Sequence, residues 1–141
     1  MNPLLWLAYC CLPLKHLQLN SAYGYRVHPV TKQFKFHSGI DLKARGDTVF
    51  AISSGKVSIG YNSYLGVFST VQDSSLKIIY GHLSALLLTE GPVAAGEPIG
   101  ITGATGRVTG EHLHLAISYR NHPIDPLRFL YQLTLNKKHH E

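Results

Sequence analysis

The sequence GEHLHLAI at residues 110–117 places two histidines, His112 and His114, one residue apart inside an apolar run. In a β-strand, residues i and i+2 point to the same face, so both imidazoles would face the same way, about 7 Å apart along the strand. Two such imidazoles suit a metal ion, or a metal ion together with an acid or base. The alternative, from this pair alone, is a polar strand edge that faces solvent.

A second pair of potential ligands is His37 and Asp41, in the sequence HSGID. Zinc accepts a histidine nitrogen and a carboxylate oxygen at similar distances, about 2.0–2.2 Å. A His and an Asp four residues apart can converge from a strand face or a tight turn, and Gly39 between them allows a close backbone approach. Taken alone, the pair also fits a surface His37 and an Asp41 that caps a turn.

A fifth residue of interest is His82, at the end of the apolar run in IIYGHLS. A single histidine there also fits a structural role, but the combination is more specific than its parts. A catalytic zinc site typically keeps three protein ligands and leaves one position for water. Two histidines and Asp41 can supply three ligands, and two further histidines remain to move protons in hydrolysis. The set indicates a site that activates water.

Strands separated by turn residues must position these side chains. TVFAI (48–52) and KVSIGY (56–61) predict a β-hairpin with Gly55 in its turn. VFSTVQ (67–72) and LKIIYGHL (76–83) predict a second hairpin. His82 would then lie near the end of the last of these four strands.

The end of the chain predicts one more strand and a helix. EHLHLAISY (111–119) is typical of a strand, and DPLRFLYQL (125–133) of a short C-terminal helix. Asp125 is the expected N-cap of the helix, and Pro126 its first helical position. The predicted fold class is therefore mainly β, a single domain of antiparallel strands with a short C-terminal helix.

Composition limits the class of protein. The 141 residues are 45% hydrophobic and 15% charged, which predicts one globular domain with a real core. The net charge of +5 favours an anionic partner, but the basic residues are scattered and do not alternate with aromatic residues, so we expect no nucleic-acid partner. The adjacent Cys10 and Cys11 cannot form a disulfide framework.

The two ends of the chain are interpreted separately. The run LLWLAYCCL (4–12) is too short to span a bilayer as a helix, so no stable membrane span is expected. No Lys or Arg precedes it and no small-residue cleavage site follows, which leaves three alternatives: an atypical export signal, a membrane-associating segment or a first buried segment. We therefore predict an apolar N-terminal segment at 1–17, the domain at 18–134 and a basic tail at 135–141.

Most of the chain, about residues 18–130, resembles the lysostaphin-like, LytM-type zinc metallopeptidases, which are peptidoglycan endopeptidases. The blocks that carry the resemblance occur in the family's order: YGYRVHPVTKQFKFHSGIDL (23–42), GKVSIGY (55–61), IIYGHLS (78–84), GEPIGITGATGRVTGEHLHL (96–115) and IDPLRFL (124–130). The resemblance implies packed antiparallel sheets of the LytM type, similar to a barrel-sandwich or duplicated hybrid motif.

The resemblance also implies roles for five residues. His37, Asp41 and His114 match the family's zinc ligands, with one Zn²⁺ per chain, and His82 and His112 match its catalytic histidines. One of these two would act as general base toward water. The other would hydrogen-bond the oxyanion or protonate the leaving amine, and the sequence does not assign which.

The implied function is hydrolysis of peptide bonds in peptidoglycan cross-links or stem peptides, with a peptidoglycan peptide as the partner. The implied location is periplasmic or extracellular, although no clear export signal is present. The alternative is a non-catalytic module of the same fold that binds peptidoglycan or activates another hydrolase. The sequence leaves open which bond is cut and what the oligomeric state is.

Some positions depart from the family pattern without touching the implied site. Glu111 stands where a Pro or small residue is usual, Ala116 where an acidic residue is common, and residues 66–73 lack a histidine that many relatives carry. Arg26 and His28 match the pattern, and we interpret both as structural.

Overall fold

The computed structural model describes residues 11–28 and 30–140, the last five of them as backbone only. Within that part there are twelve strands and one helix. These are β1 (Leu19–Ser21), β2 (Gly24–Val27), β3 (Phe34–His37), β4 (Ile40–Lys43), β5 (Thr48–Phe50), β6 (Gly55–Asn62), β7 (Gly66–Gln72), β8 (Leu76–Leu86), β9 (Gly91–Val93), β10 (Pro98–Thr102), β11 (His112–Tyr119), β12 (His122–Ile124) and α1 (Pro126–His140).

Ten of these strands form one antiparallel sheet, and β2 and β3 form a separate hairpin. The main path through the large sheet runs β1-β4-β11-β8-β7-β6-β9, while β10 joins β5 to β8 and β12 pairs with β11. The prediction of a mainly β, antiparallel fold with a C-terminal helix is confirmed.

Strand alternation separates the core from the polar face at the centre of the sheet. Leu113, Leu115 and Ile117 on β11 are all buried in the hydrophobic core. The intervening His112 and His114 must point to the opposite face. On the neighbouring strand β4, Asp41 lies between two core residues in the same way. The core therefore fixes the face on which the polar residues meet.

The second predicted hairpin is confirmed, since β7 and β8 pair with Gln72 opposite Lys77. Its turn is closed by Asp73, whose Oδ1 accepts hydrogen bonds from the N–H groups of Ser75 and Leu76 at 2.8 and 2.7 Å. The turn role of this aspartate follows from its short side chain, which can reach the backbone two residues on.

The first predicted hairpin, 48–61, is wrong. β5 pairs with β10, whereas β6 pairs with β7 and β9. Ala51, Ile52 and Ser53 in the connecting segment are buried, and the Ile52 N–H donates to the Tyr80 hydroxyl on β8 at 2.9 Å. Gly55 begins β6, and a Cβ there would lie 2.7 Å from the Gln72 carbonyl oxygen. The glycine serves close strand packing and is not a turn residue.

The last strand is confirmed as β11, but the chain then turns back into β12. Arg120 and Asn121 form a two-residue turn with φ values of 49° and 66°. Positive φ at both central residues is typical of a type I′ hairpin turn.

The helix prediction is confirmed at its start and too short at its end. Asp125 Oδ1 accepts a hydrogen bond from the Leu127 N–H at 2.9 Å, as expected of an N-cap. The helix continues to His140, because no Gly or Pro follows residue 133 to stop it. It therefore includes most of the segment interpreted as a basic tail.

The described part of the N-terminal segment packs on the domain. Leu14 is buried in the core, and the Phe50 N–H donates to the Pro13 carbonyl at 2.9 Å. Residues 1–10, with Cys10, lie outside the described residues, so the export-signal and membrane interpretations stay predictions. Among the described residues, no helix has the length and apolar character needed to cross a bilayer.

Candidate functional site

Strand register brings the central ligand candidates side by side. In the sheet, His114 on β11 lies opposite Asp41 on β4 and opposite Gly81 on β8. His37 ends β3, two residues before β4 begins. A Cβ at Gly39 would meet the Leu115 carbonyl oxygen and would lie 2.9 Å from His114 Cε1. Only glycine allows the chain to pass this close to the histidine ring.

Three ligand atoms form a compact triangle. His114 Nδ1 lies 3.0 Å from Asp41 Oδ1 and 3.3 Å from His37 Nε2, and the His37–Asp41 distance is 3.5 Å. Ligand atoms about 2.0–2.1 Å from a tetrahedral zinc ion would lie roughly 3.3–3.4 Å apart. The triangle therefore has the dimensions that one zinc ion requires, and these three residues can together hold a metal ion.

Two of the candidate ligands, His37 and Asp41, are oriented by contacts with residues outside the triangle. His37 Nδ1 lies 3.0 Å from the Ala22 carbonyl oxygen, so it carries the proton and leaves the Nε2 lone pair for a metal. Asp41 directs Oδ2 toward Arg26, 3.8 Å from its Nη2, and Oδ1 toward the histidines. The sequence interpretation of Arg26 as structural did not include this contact with the site.

His82 and His112 stand beside this triangle, with ring centroids 4.8 Å apart. His82 Nδ1 donates to the Thr105 carbonyl at 2.7 Å, and His112 Nδ1 donates to the Gly110 carbonyl at 3.0 Å. In both residues Nδ1–H is therefore held by backbone and Nε2 is left with a lone pair. His112 Nε2 lies 3.5 Å from Asp41 Oδ1.

An irregularity in β8 positions His82. The residue has φ of 61°, and its N–H donates to the Leu65 carbonyl at 2.7 Å. The pairing of β7 with β8 shifts in register between Val67 and Ser69, next to this point. Such bulges redirect side chains near functional sites, and a positive φ in a non-glycine residue is held only by its surroundings.

Burial excludes the surface interpretations of these residues. The exposed fractions are 3% for His37, His82 and His114 and 7% for Asp41. The alternative interpretations of the His112–His114 pair as a solvent-facing strand edge, and of His37 as a surface residue, are therefore wrong.

The electrostatics keep the ligands in metal-binding protonation states. Burial alone would raise the pKa of Asp41, but the hydrogen bond with His114 and the close approach of His37 and His112 lower it well below its usual range. Burial lowers the pKa of His114, against the opposing effect of Asp41. Burial likewise lowers the pKa of His82 to about 4, although its hydrogen bond to Thr105 acts in the opposite direction. The carboxylate is charged and both imidazoles are neutral at neutral pH.

Sequence reasoning missed Tyr64, Thr105 and Gly66. The Tyr64 ring lies with its centroid 6.1 Å from that of His114 and 6.5 Å from that of His82. Thr105, which holds His82, packs against Gly66 so closely that a Cβ at residue 66 would overlap it. The glycine-rich sequence GATG (103–106), which contains Thr105, was the available sequence signal for this contact.

His28 has a turn role outside the ligand triangle. Its Nδ1 accepts hydrogen bonds from the N–H groups of Val30 and Thr31.

Comparison with known proteins finds one family match, and it spans all five predicted site residues. Residues 35–126 match the model of Peptidase family M23. The chain belongs to this family. The LytM-type resemblance is thereby confirmed, and the M23 segment contains both His37 and His114.

Individual M23 relatives agree in sequence and in fold. The chain is 35% identical over 121 residues to the DD-carboxypeptidase/endopeptidase Mpg of Neisseria meningitidis serogroup B, covering 82% of this chain and 27% of that protein. A zinc-containing peptidase from Vibrio cholerae superimposes with a TM-score of 0.75 at 34% identity, covering 84% of this chain and 39% of that one.

The catalytic domain of lysostaphin from Staphylococcus simulans superimposes with a TM-score of 0.73 at 28% identity, covering 82% of this chain and 92% of that domain. The chain therefore corresponds to nearly a whole lysostaphin catalytic domain. By contrast, it spans about a quarter of the length of the curated relative Mpg.

Proposed function

We propose that this M23 chain is a zinc-dependent endopeptidase that hydrolyses peptide bonds in the cross-links or stem peptides of bacterial peptidoglycan. The observation that carries the proposal is the triangle of ligand atoms, 3.0–3.5 Å apart, flanked by two histidines whose Nδ1–H groups are held by backbone carbonyls. The Mpg and lysostaphin relatives, a DD-carboxypeptidase/endopeptidase and a peptidase, support this reaction class.

The proposed ligand atoms are His37 Nε2, Asp41 Oδ1 and His114 Nδ1, and they would hold one Zn²⁺. Two nitrogens and one oxygen from three protein residues are the donor set of a catalytic zinc site. When bound, zinc acidifies a water molecule and polarises the substrate carbonyl. No ligand is missing, which argues against the non-catalytic alternative.

We assign the general base to His82. Because burial lowers its pKa to about 4, the imidazole is neutral at pH 7, and because Nδ1–H is bound to Thr105, the lone pair on Nε2 accepts a proton from the attacking water. The proton that His82 takes from the water then passes through Nε2 of His112 to the leaving amine, so both imidazoles are neutral again after the step. Its ring lies within 4.8 Å of the His82 ring, so both act on one scissile bond.

The proposed substrate also sets the proposed location. Peptidoglycan lies in the cell envelope, so the chain would act in the periplasm or outside the cell. We propose residues 18–134 as the peptidase domain.

The test combines metal analysis with digestion of purified peptidoglycan. We expect one zinc per chain and new amine ends at one type of cross-link or stem bond, detected by mass spectrometry of the released fragments. His82→Ala and His112→Ala should each lower kcat/KM by about 10²–10⁴-fold while retaining zinc. The exposed His122 on β12 supplies the control, since His122→Ala should retain full activity.

Two results would contradict the proposal. One is the absence of fragments from every peptidoglycan tested with zinc-loaded protein. The other is full activity in both His82→Ala and His112→Ala. Binding to peptidoglycan without release of fragments would instead support the non-catalytic module.

A further inference from the structure

A cavity of about 240 Å³ lies beside the candidate site and is lined by three cations, Arg26, Lys35 and Arg107. Phe36 and Tyr64 give it apolar walls. Among the described residues, no Asp or Glu lines it. A cavity with several positive charges and no negative one favours an anionic ligand.

The cavity is continuous with the site. Arg26, Tyr64 and Arg107 also line the smaller space that contains Asp41 and the catalytic-histidine candidates. A group bound in the cationic cavity would therefore lie next to the space that holds the ligand triangle.

Strand register places two of the cations directly opposite each other. Arg26 on β2 pairs with Lys35 on β3, and like charges in directly opposed positions destabilise a strand pair. Period-2 alternation also puts Lys35 on the same face as His37, the last residue of β3. An anion between these side chains would relieve their repulsion.

The cations are not neutralised within the described part of the protein. Arg26 has one ion pair, with Asp41 at 3.8 Å, and its buried Nε has no hydrogen-bond partner. Lys35 and Arg107 form no ion pair with any described residue. Burial, and after it the charges of Arg26, Lys35 and Arg107, lower the pKa of the adjacent His28.

We propose that this cavity binds a free carboxylate of the peptide substrate, on a residue next to the scissile bond; the inference rests on the proposed function. Guanidinium groups match a carboxylate in geometry and donate charge-assisted hydrogen bonds to it. The volume exceeds that of a carboxylate, so the residue that carries it enters too, against Phe36 and Tyr64.

The first test uses cross-linked peptidoglycan fragments in which each free carboxylate is converted to the neutral amide, one at a time. Amidation of one specific carboxylate should lower kcat/KM by about 10- to 100-fold, the loss expected for hydrogen bonds between charged groups. Equal hydrolysis of every amidated fragment and of the parent would overturn the inference and leave the proposed function intact.

Variants then locate the carboxylate. Lys35→Gln and Arg107→Gln should each reduce the preference for the free carboxylate over its amide. Lys56→Gln on β6 removes the same charge outside both cavities and should leave the preference unchanged. A preference that survives in the double variant Lys35→Gln/Arg107→Gln would place the carboxylate elsewhere.

Calorimetric binding of the same fragments separates the two proposals. The Kd for the free-carboxylate form should be lower than that for the amide even in protein that hydrolyses neither. Selective binding without hydrolysis would support the carboxylate site and contradict the peptidase function. Equal binding of both forms would contradict the site.

Discussion

Gly39 is the position where a single methyl group should disturb the proposed zinc site most directly. A Cβ there would lie 2.9 Å from His114 Cε1 and 3.0 Å from His114 Nε2, and would overlap the Leu115 carbonyl oxygen. Carbon atoms normally approach to about 3.5–4.0 Å, so a neighbour must move by roughly 0.6–1 Å. Leu115 is paired with Ile40 in the central sheet, which makes the ring of His114 the easier group to displace.

The expected effect of Gly39→Ala has two parts. Overpacking of this kind costs about 1–3 kcal/mol of unfolding free energy. Loss of a contact that orients a metal ligand typically weakens metal affinity by about 10- to 100-fold, which corresponds to about 1.4–2.7 kcal/mol. Urea unfolding of the zinc-free protein measures the first part, and competition with a chromophoric chelator measures the zinc Kd.

Gly110→Ala is the matched control. It makes the same chemical change, but a Cβ at residue 110 would have no heavy atom within 4 Å. We expect its zinc Kd and its urea midpoint to remain near those of the parent protein. If Gly39→Ala behaved like Gly110→Ala in both measurements, the close contact between residue 39 and His114 would be refuted as a determinant of the site.

Three further predictions concern pH, metal and the helix. The pKa of His82 is lowered from 6.5 to about 4 in the folded protein. Between these pH values the unfolded chain therefore binds more protons than the folded protein does. The free energy of unfolding should consequently fall by up to roughly 3 kcal/mol as pH decreases from 7 to 4. Urea titrations of zinc-free protein should show a smaller fall in His82→Gln, and an equal fall would contradict this origin. Zinc at about 1,000 times its Kd should raise the free energy of unfolding by about 4 kcal/mol, measured by urea unfolding, whereas His37→Ala should lose most of this gain. Asp125→Ala removes the N-cap hydrogen bond to Leu127 and should cost about 1 kcal/mol; retention of the parent urea midpoint would contradict the cap.

The residues of the candidate site could be predicted because their signals are local. The spacing of His112 and His114 fixes a common face, and alternation with core leucines determines which face it is. The other three residues, His37, Asp41 and His82, were predicted from the resemblance to the LytM-type family. Asp125 as a helix cap was likewise readable from its neighbours alone.

Non-local pairing explains what the sequence did not predict. The segment 48–61 looks like a hairpin, yet β5 pairs with β10, about fifty residues later. The bulge at His82 depends on contacts with Leu65, and its orientation depends on the Thr105 carbonyl. The contact between Arg26 and Asp41 joins two different sheets. None of these partners can be deduced from the residues beside them.

Strand alternation also places the residues of the β2–β3 hairpin beside the cationic cavity. Lys35 and His37 share one face of β3. Tyr25 stacks on Phe34 and meets Phe36 edge-on, and Phe36 also reaches the wall of the cavity. These aromatic contacts hold the hairpin together, while Lys35 lines the cavity beside the site. Strand β3 carries both Lys35 and the proposed zinc ligand His37. A substrate carboxylate bound by Lys35 would therefore be positioned relative to the metal by one strand. The metal ligands on β4 and β11 lie in a different sheet, so exchange of Lys35 should alter substrate preference more than zinc affinity.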